Sequence, residues 1–569
     1  MESKTISGAK ILLECLSRLG VTDMFGYPGG SVLKIYDELY DFKKIKHYLA
    51  RHEQGAIHGA DGYARSSGKV GVCLATSGPG VTNIVTGIMT AHMDSVPLLA
   101  ITGQVQTTLL GTDSFQETDI VGITIPITKT NYLITDIRDL PRIIKEAYYL
   151  SKTGRPGPVL IDIPKDIQST EISIDEFEKL FEKDFILEGY DPIYKGHAGQ
   201  IKRATELIKS SKSPLIISGA GILKSGASDE LLIFAEKINC PVTCTFLGLG
   251  GFPSNHKLML GMLGLHGTVA SNYATKQADL IIAAGMRFDE RVTGNIKEFC
   301  PNAKIIHIDI DPAEIDKNIV SNVPIVGDLN NVLNKLNDNL QSLTHEEWID
   351  KINTWKREYP LIIPESNDNS LVPQYVFNKL NTLLKDDTLI ATDVGQHQMW
   401  TAQFINFNKP NTLISSGGAG TMGFGLPAAI GAQIANPNKN VVLIVGDGSI
   451  QMTIQELILL REYNLPIKIL IINNSCLGMV RQLQEVFNEK RYSQVDLTYN
   501  PDFVKIGEAY DIKSMKLSTK EDLNENLENL LNLNEPVLIE FVVDKNQNVL
   551  PMVPSNYSVD KMIGKKGVI

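Results

Sequence analysis

The chain has 569 residues, enough at roughly 150 residues per domain for three or four domains, so a single small binding module is excluded. Hydrophobic residues make up 43% and charged residues 21%, the balance of an ordinary globular protein rather than a disordered or collagenous one. Lys and Arg number 54 against 65 Asp and Glu, a net charge of −11, and like charges form no long block, which argues against nucleic acid as a partner.

The N-terminal stretch MESKTISGAKILLECLSRLG has neither the apolar core of a signal peptide nor the Arg- and Ser-rich make-up of a transit sequence, and a cytoplasmic location is expected. Strand-like runs then alternate with amphipathic stretches along the whole chain. They are VGVCLAT, VPLLAIT and PVLIDIP, then PLIISGAG, DLIIAAG and KIIHIDI, then NVVLIVGDG and IKILIINN. This alternation predicts an α/β fold of three doubly wound parallel-sheet domains. The acid-rich, aperiodic stretches 168–199 and 343–369 predict linkers, and the domains are placed at 1–170, 196–343 and 370–550, with a C-terminal tail at 551–569. The longest apolar runs, Val441–Val445 and Ile467–Ile472, fall far short of the roughly 20 residues that span a bilayer. Six scattered cysteines, of which only Cys240 and Cys244 lie close in sequence, lack the second pair or the histidines of a zinc site and are expected to be reduced thiols.

The sharpest motif is GDGSIQMT at 446–453, followed by IINNSCLGM at 471–479. Strand Val441–Val445, a helix expected over IQELILLREYN (454–464) and a return strand Ile467–Ile472 form a βαβ unit whose right-handed crossover makes the strands neighbours. Asp447 and Asn474 then share one carboxyl edge. They offer hard oxygen ligands to a small divalent cation, while turn amides can face phosphate, so a magnesium diphosphate site is expected.

GDG followed at this interval by NN is similar to the motif of thiamine-diphosphate (ThDP) enzymes. RHEQGAIHGADGYAR (51–65) resembles the segment whose glutamate, here Glu53, bonds N1′ of the aminopyrimidine ring. Closer still, FGYPGGSVL (25–33), ATSGPGVTN (75–83), DSFQETDIVGIT (113–124), TGRPGPVLIDIPKDI (153–167), DVGQHQMW (393–400) and SGGAGTMGFGLPAAIGA (416–432) resemble the large catalytic subunit family of acetohydroxyacid synthase, also called acetolactate synthase. MLGLHG (262–267), GMRFDERVTG (285–294), HIDIDPAEI (307–315) and VGD (326–328) resemble the FAD-binding stretches of its biosynthetic branch.

The resemblance implies ThDP-binding first and third domains flanking a central FAD-binding domain. It implies an enzyme that decarboxylates pyruvate and joins the two-carbon unit to a second pyruvate or to 2-ketobutyrate, the first common step of branched-chain amino acid synthesis. It further implies a homodimer or tetramer with the active site at the interface, and often a small regulatory subunit. Asp447, Asn474 and the carbonyl of Cys476 would hold Mg2+. Glu53, Gln396, His397, Gly420, Met422, Gly446, Gly448, Ser449 and the prop Met452 would serve ThDP. Gly30, Phe115, Gln116 and Lys165 would shape the pocket above the thiazolium, and Arg291 would bind the second keto acid's carboxylate. Arg155, Gly219, Gly221, Leu263, His266, Gly285, Arg287, Asp289, Asp309, Ile310 and Asp328 would contact FAD. Pro551–Gly564 would be the lid.

Leu483 stands where the family has Trp, and Leu265 where Met is common. The alternatives are a FAD-independent catabolic acetolactate synthase, a pyruvate oxidase whose flavin takes electrons, a silent scaffold, and a nicotinamide dehydrogenase. For the last, SGAGIL at 218–223 has only the first part of the required turn.

Overall fold

The computed structural model describes residues 5–365 and 369–567. The outermost residues of the expected first domain and tail, and 366–368 of the second expected linker, lie outside the described residues. Three six-stranded sheets carry the fold. In spatial order the first is Lys46–Leu49, Asp23–Gly26, Gly71–Ala75, Leu98–Gln104, Pro158–Pro164 and Thr130–Leu133. The second is Met259–Met262, Val242–Cys244, Pro214–Ser218, Leu280–Ala284, Lys304–Asp309 and Val323–Val326. The third is Leu413–Ile414, Leu389–Thr392, Val441–Gly446, Lys468–Asn473, Val537–Val542 and Lys513–Leu517.

Each sheet is laid down first to one side of its opening strand and then to the other. The direction of winding therefore reverses between Asp23–Gly26 and Gly71–Ala75, between Pro214–Ser218 and Leu280–Ala284, and between Leu389–Thr392 and Val441–Gly446. Ligands of open α/β sheets settle beyond the carboxyl ends of strands at such a reversal. Central strands such as Val441–Gly446 are buried at every residue, which explains their unbroken Val and Ile content, since helices cover both faces of a parallel sheet.

The chain forms two compact units. One gathers the described residues up to Asp191 with Ser416–Val441 and Gln451–Ile467; the other gathers Pro192–Ser415, Val442–Ile450 and the described residues from Lys468 onward. In the first unit, helix Glu53–Ser67 lies directly against helix Gly425–Ala435. A Cβ on Gly431 would sit 1.8 Å from the carbonyl oxygen of Gly59, and one on Gly62 would sit 2.1 Å from that of Ala428. The seam is backbone against backbone.

Three sequence expectations need correction. The stretch 168–199 is not simply a linker: Glu171–Ser173 pairs antiparallel with Thr5–Ser7, and helix Ile174–Glu182 buries Phe177, leaving irregular chain only from 183 to 197. Within 343–369, helix Glu346–Glu358 buries Trp348, Ile352 and Trp355, an apolar stripe of helical spacing hidden among charges. The helix expected over 454–464 is a 3-10 turn, Ile454–Leu457, leading into a short helix, Ile458–Glu462, and the tighter start carries Glu456 into the interior. All six cysteines are buried and unpaired. Among the described residues no helix is long and apolar enough to cross a membrane.

Candidate active site

In the second unit, strand Val441–Gly446 pairs in parallel with Lys468–Asn473, with Gly446 opposite Ile472. That register brings Asp447 and Asn474 out at the same edge. Both are buried, and burial pushes the Asp447 carboxyl up to about 6. Its Oδ2 accepts from Asn500 Nδ2 at 2.6 Å, and Asn500 also donates to Asn473 Oδ1 at 3.3 Å. Asn474 Oδ1 accepts from the Cys476 amide at 3.2 Å, and its Nδ2 donates to Gln396 Oε1 at 3.2 Å. Any side chain at Gly478 would collide with that pair, since its Cβ would lie 2.1 Å from Gln396 Oε1.

Among the described residues no three His, Cys, Asp or Glu side chains gather as a metal cluster. A cation at this edge would rest on one carboxylate, one amide oxygen and main-chain carbonyl, a hard all-oxygen set that fits Mg2+ and not zinc. His397 follows strand Leu389–Thr392 on helix Gln396–Phe404, and its ring packs on Gly446, 3.0 Å from where a Cβ would be. Burial lowers its pKa to about 4, so the ring is neutral, and Nε2 is buried with no hydrogen-bond partner. Its other nitrogen already bonds the Asp393 backbone, so Nε2 can donate to a phosphate oxygen only once the ring is protonated, a change that the charge of a bound diphosphate would favour. Ser449 Oγ is tied to Gly446 at 3.2 Å, and Gly448 is half-buried between them.

Helix Gly478–Phe487 follows. Leu483 on it is 38% exposed. Its neighbour Gln482 is fully buried: Oε1 accepts from the Val549 amide at 2.8 Å and from Gln396 Nε2 at 2.9 Å, while Nε2 donates to the Val549 carbonyl at 3.0 Å. The side chain thus pairs with the root of the tail as a strand would. Beyond it Met552 and Ile563 exchange backbone hydrogen bonds, and Val553 donates to the Leu265 carbonyl at 2.7 Å. Leu265 is buried in a small apolar cluster with Val269, Val553 and Met562.

At the reversal of the second sheet, Gly219 and Gly285 end adjacent strands. A Cβ on Gly219 would lie 2.1 Å from the Gly285 carbonyl oxygen, and Gly285 has φ +64°. Gly221 donates to that same carbonyl at 3.1 Å. Asp309 closes the next strand, where its Oδ1 accepts from the Asp311 amide at 2.9 Å, with Ile310 beside it. Asp328 caps helix Leu329–Asn339, and Asp289 caps Glu290–Thr293, with burial raising its pKa. Arg287 lies 4.0 Å from Asp289, while the Arg291 side chain is 74% exposed. Leu263 is buried, and burial lowers His266 to about 4, with Nδ1 lacking a partner. A close-packed glycine pair at the reversal, an acid on the next strand and an open imidazole nitrogen fit a dinucleotide.

In the first unit, Glu53 opens its helix, buried, and Oε2 accepts from Asn83 Nδ2 at 2.9 Å. Gly30 is exposed, and a Cβ there would meet nothing within 4 Å. Phe115 is 88% exposed; Gln116, at φ +61°, packs on Gly78. Lys165 is exposed at the end of strand Pro158–Pro164, and Arg155 donates to Ser95 Oγ at 2.8 Å. Gly420, at φ +61°, is exposed, Met422 is half-buried and Met452 is 50% exposed.

Five residues in these settings escape sequence reasoning: Asn83, Glu456, Gln482, Asn500 and Asp94. Glu456 is buried, with both carboxyl oxygens accepting from the Arg51 amide at 3.0 Å. A Cβ on Gly55 would lie 2.3 Å from it. Burial raises its pKa from 4.5 to about 7. The folded state keeps a proton that the unfolded chain sheds near 4.5, so stability falls as pH climbs from there to about 7, in total by about 3 kcal/mol. Asp162, raised by burial to about 7, acts in the same sense. Glu456→Gln is expected to shrink the drop in melting temperature between pH 5 and pH 8; an unchanged drop would clear Glu456 of any part in it.

Family models match in three places. They are described as the N-terminal TPP binding domain (residues 6–123), the central domain (201–336) and the C-terminal TPP binding domain (393–541) of thiamine pyrophosphate enzymes. The acetolactate synthase large subunit of Buchnera aphidicola subsp. Schizaphis graminum is 47% identical over 554 residues, 96% of each chain. That of Lactococcus lactis subsp. lactis is 47% identical over 99% of this chain and 96% of its own. The probable acetolactate synthase large subunit of Methanocaldococcus jannaschii is 47% identical over 96% of this chain and 94% of its own. With nearly half of all positions shared from end to end, the chain belongs to the acetolactate synthase large-subunit family of thiamine pyrophosphate enzymes.

Proposed function

We propose that this chain holds Mg2+ and FAD beside thiamine diphosphate and uses the residues above to make 2-acetolactate. It is a ThDP-dependent carboligase of the first step of branched-chain amino acid synthesis, and the observation that carries this is the identity of 47% over 96% of both chains. ThDP, when bound, supplies a thiazolium carbon that adds to a 2-keto acid carbonyl and takes up the electron pair freed by loss of CO2.

The chain's residues do the rest. Glu53 shares a proton with the aminopyrimidine N1′. Asp447, Asn474 and the Cys476 carbonyl would hold Mg2+, and His397, protonated beside the diphosphate, would donate from Nε2 to a phosphate oxygen, with Gln396, Gly446, Gly448 and Ser449 completing the pocket. The main chain of Gly420 and Met422 meets the cofactor, and Met452 props it. Gly30, Phe115, Gln116 and Lys165 would shape the pocket above the thiazolium, as the family resemblance implies. Arg291, whose exposed side chain lies 3.5 Å from Glu290, would exchange that partner for the second carboxylate. Arg155, Gly219, Gly221, Leu263, His266, Gly285, Arg287, Asp289, Asp309, Ile310 and Asp328 hold FAD, which serves structure rather than redox. Copies assembled as a dimer or tetramer, a small regulatory subunit and a cytoplasmic setting complete this reading.

Incubation of the purified chain with pyruvate, ThDP and Mg2+, with and without FAD, tests it. Acetolactate that needs FAD and consumes no oxygen is expected. Acetolactate without FAD would make it the catabolic enzyme, and acetate or acetyl phosphate with oxygen uptake a pyruvate oxidase.

Leu483 lacks the aromatic face that would grip the extra methyl of 2-ketobutyrate. In competition between the two keto acids this chain is expected to show a weak 2-ketobutyrate preference and low sensitivity to sulfonylureas. Leu483→Trp should raise the preference about tenfold, the value of one methylene in a pocket. A strong preference in the unaltered chain would overturn this.

A further inference from the structure

The segment Ser416–Phe424, SGGAGTMGF, is a coil rich in glycine, with Gly420 at φ +61° and Gly423 at φ +88°. Such a segment has many conformations open to it and loses much entropy when fixed. Its shape must be imposed from outside, and three contacts within the first unit do so. Asp94, the C-cap of helix Val85–Met93, accepts from two successive amides, Gly418 at 2.7 Å on Oδ1 and Gly417 at 2.9 Å on Oδ2. One turn earlier on that helix, Thr90 Oγ1 lies 2.7 Å from Thr421 Oγ1, and the Thr421 amide donates to Ser416 Oγ at 3.0 Å. At the far end the Arg65 guanidinium stands over the Phe424 ring, 5.2 Å from its centre.

The carboxylate that makes the first contact is itself supported. Arg65 Nη2 donates to Asp94 Oδ2 at 2.9 Å while its Nε pairs with Asp61, one turn back on the Glu53 helix. All three side chains are largely shielded from solvent, so the guanidinium fixes the orientation of the Asp94 carboxyl toward the two glycine amides. Gly420 stands between the residues held by Asp94 and the one held by Thr90, and Met422 directly follows Thr421.

We propose that Asp94 and Thr90 are positioning residues for thiamine diphosphate, fixing the coil so that the main chain at Gly420 and Met422 is set for the cofactor before it arrives. This rests on the reading of that coil given under Proposed function. A bound ligand then need not spend its own interactions on ordering a glycine-rich segment, and affinity rises accordingly. Thr90→Val keeps the shape and loses two hydrogen bonds of Oγ1, the local one to the Thr86 carbonyl and the one with Thr421; the second is the one that holds the coil, and its loss should raise the dissociation constant of ThDP with Mg2+ about fivefold. Asp94→Asn, which loses the charge and one acceptor, should raise it by about tenfold or more. In both, KM for ThDP should rise in step while kcat at saturating ThDP stays within about twofold of the parent.

The test is calorimetric titration of the full-length chain with ThDP and Mg2+, with steady-state rates and thermal melts alongside, and Gly420→Ala as a direct lesion of the coil. A buried ion pair serving only stability would lower the melting temperature and leave the affinity of the folded protein untouched. That outcome, with Gly420→Ala weakening binding, would overturn the proposal alone. If Gly420→Ala also binds ThDP as the parent does, the coil is not the cofactor's, and the reading of Gly420 and Met422 falls with it.

Discussion

Replacement of Glu53 by glutamine is expected to slow acetolactate formation by about a hundredfold to ten-thousandfold, the span of a positioned acid or base. Glu53 is the first residue of a helix and is nevertheless buried. Asn83 donates to one carboxyl oxygen at 2.9 Å, and the other faces the space left by the missing side chain of Gly80, 3.3 Å from where a Cβ would be. A carboxyl group in that position can share a proton with a ring nitrogen. Glutamine keeps the size and still accepts from Asn83, yet has no proton to exchange, so binding should survive better than turnover. Rates at saturating ThDP, with the dissociation constant measured in parallel, check this. A variant that keeps more than a tenth of the parent rate would remove Glu53 from the chemistry.

Asp447→Asn should abolish Mg2+-dependent binding of ThDP over the usable range. Disturbing a mere outer partner of a metal ligand commonly costs about 10- to 100-fold, and this change removes the one carboxylate of the proposed donor set. The amide has no good orientation. Asn500 Nδ2 donates at 2.6 Å to Oδ2, so an oxygen turned toward Asn500 presents NH2 to the cation, and an oxygen turned toward the cation sets NH2 against NH2. Titration of the variant with Mg2+ and ThDP, after a melt has shown it folded, decides the matter. Affinity equal to the parent's would place the metal elsewhere.

The strands of this protein are legible in the sequence because parallel strands covered on both faces, such as Val441–Gly446 and Lys468–Asn473, consist of little but β-branched and aliphatic residues. The meeting of Asp447 with Asn474 is legible for a related reason: right-handed crossover makes the strands before them neighbours. The supporting residues are not legible. Asn500 reaches Asp447 across 53 positions, Gln482 reaches Val549 across 67, Asp94 reaches Gly417 across 323 and Glu456 reaches Arg51 across 405. Each is a polar residue in a stretch where solvent exposure is the default, and only the folded chain supplies its partner. The helices of 168–199 and 343–369 are obscured differently. Their few apolar anchors, Phe177 in one and Trp348, Ile352 and Trp355 in the other, are outnumbered by charges that face water.

The seam between the Glu53 helix and Gly425–Ala435 bears on how this protein can evolve. Where side chains fill an interface, a larger residue on one side can be matched by a smaller one on the other, and the two helices drift together through time. At Gly62 and Gly431 a side chain would run into the carbonyls of Ala428 and Gly59, and there is nothing to trade. A larger residue at either position would have to drive the two helices apart, so the Glu53 helix can keep this register only while both glycines stay.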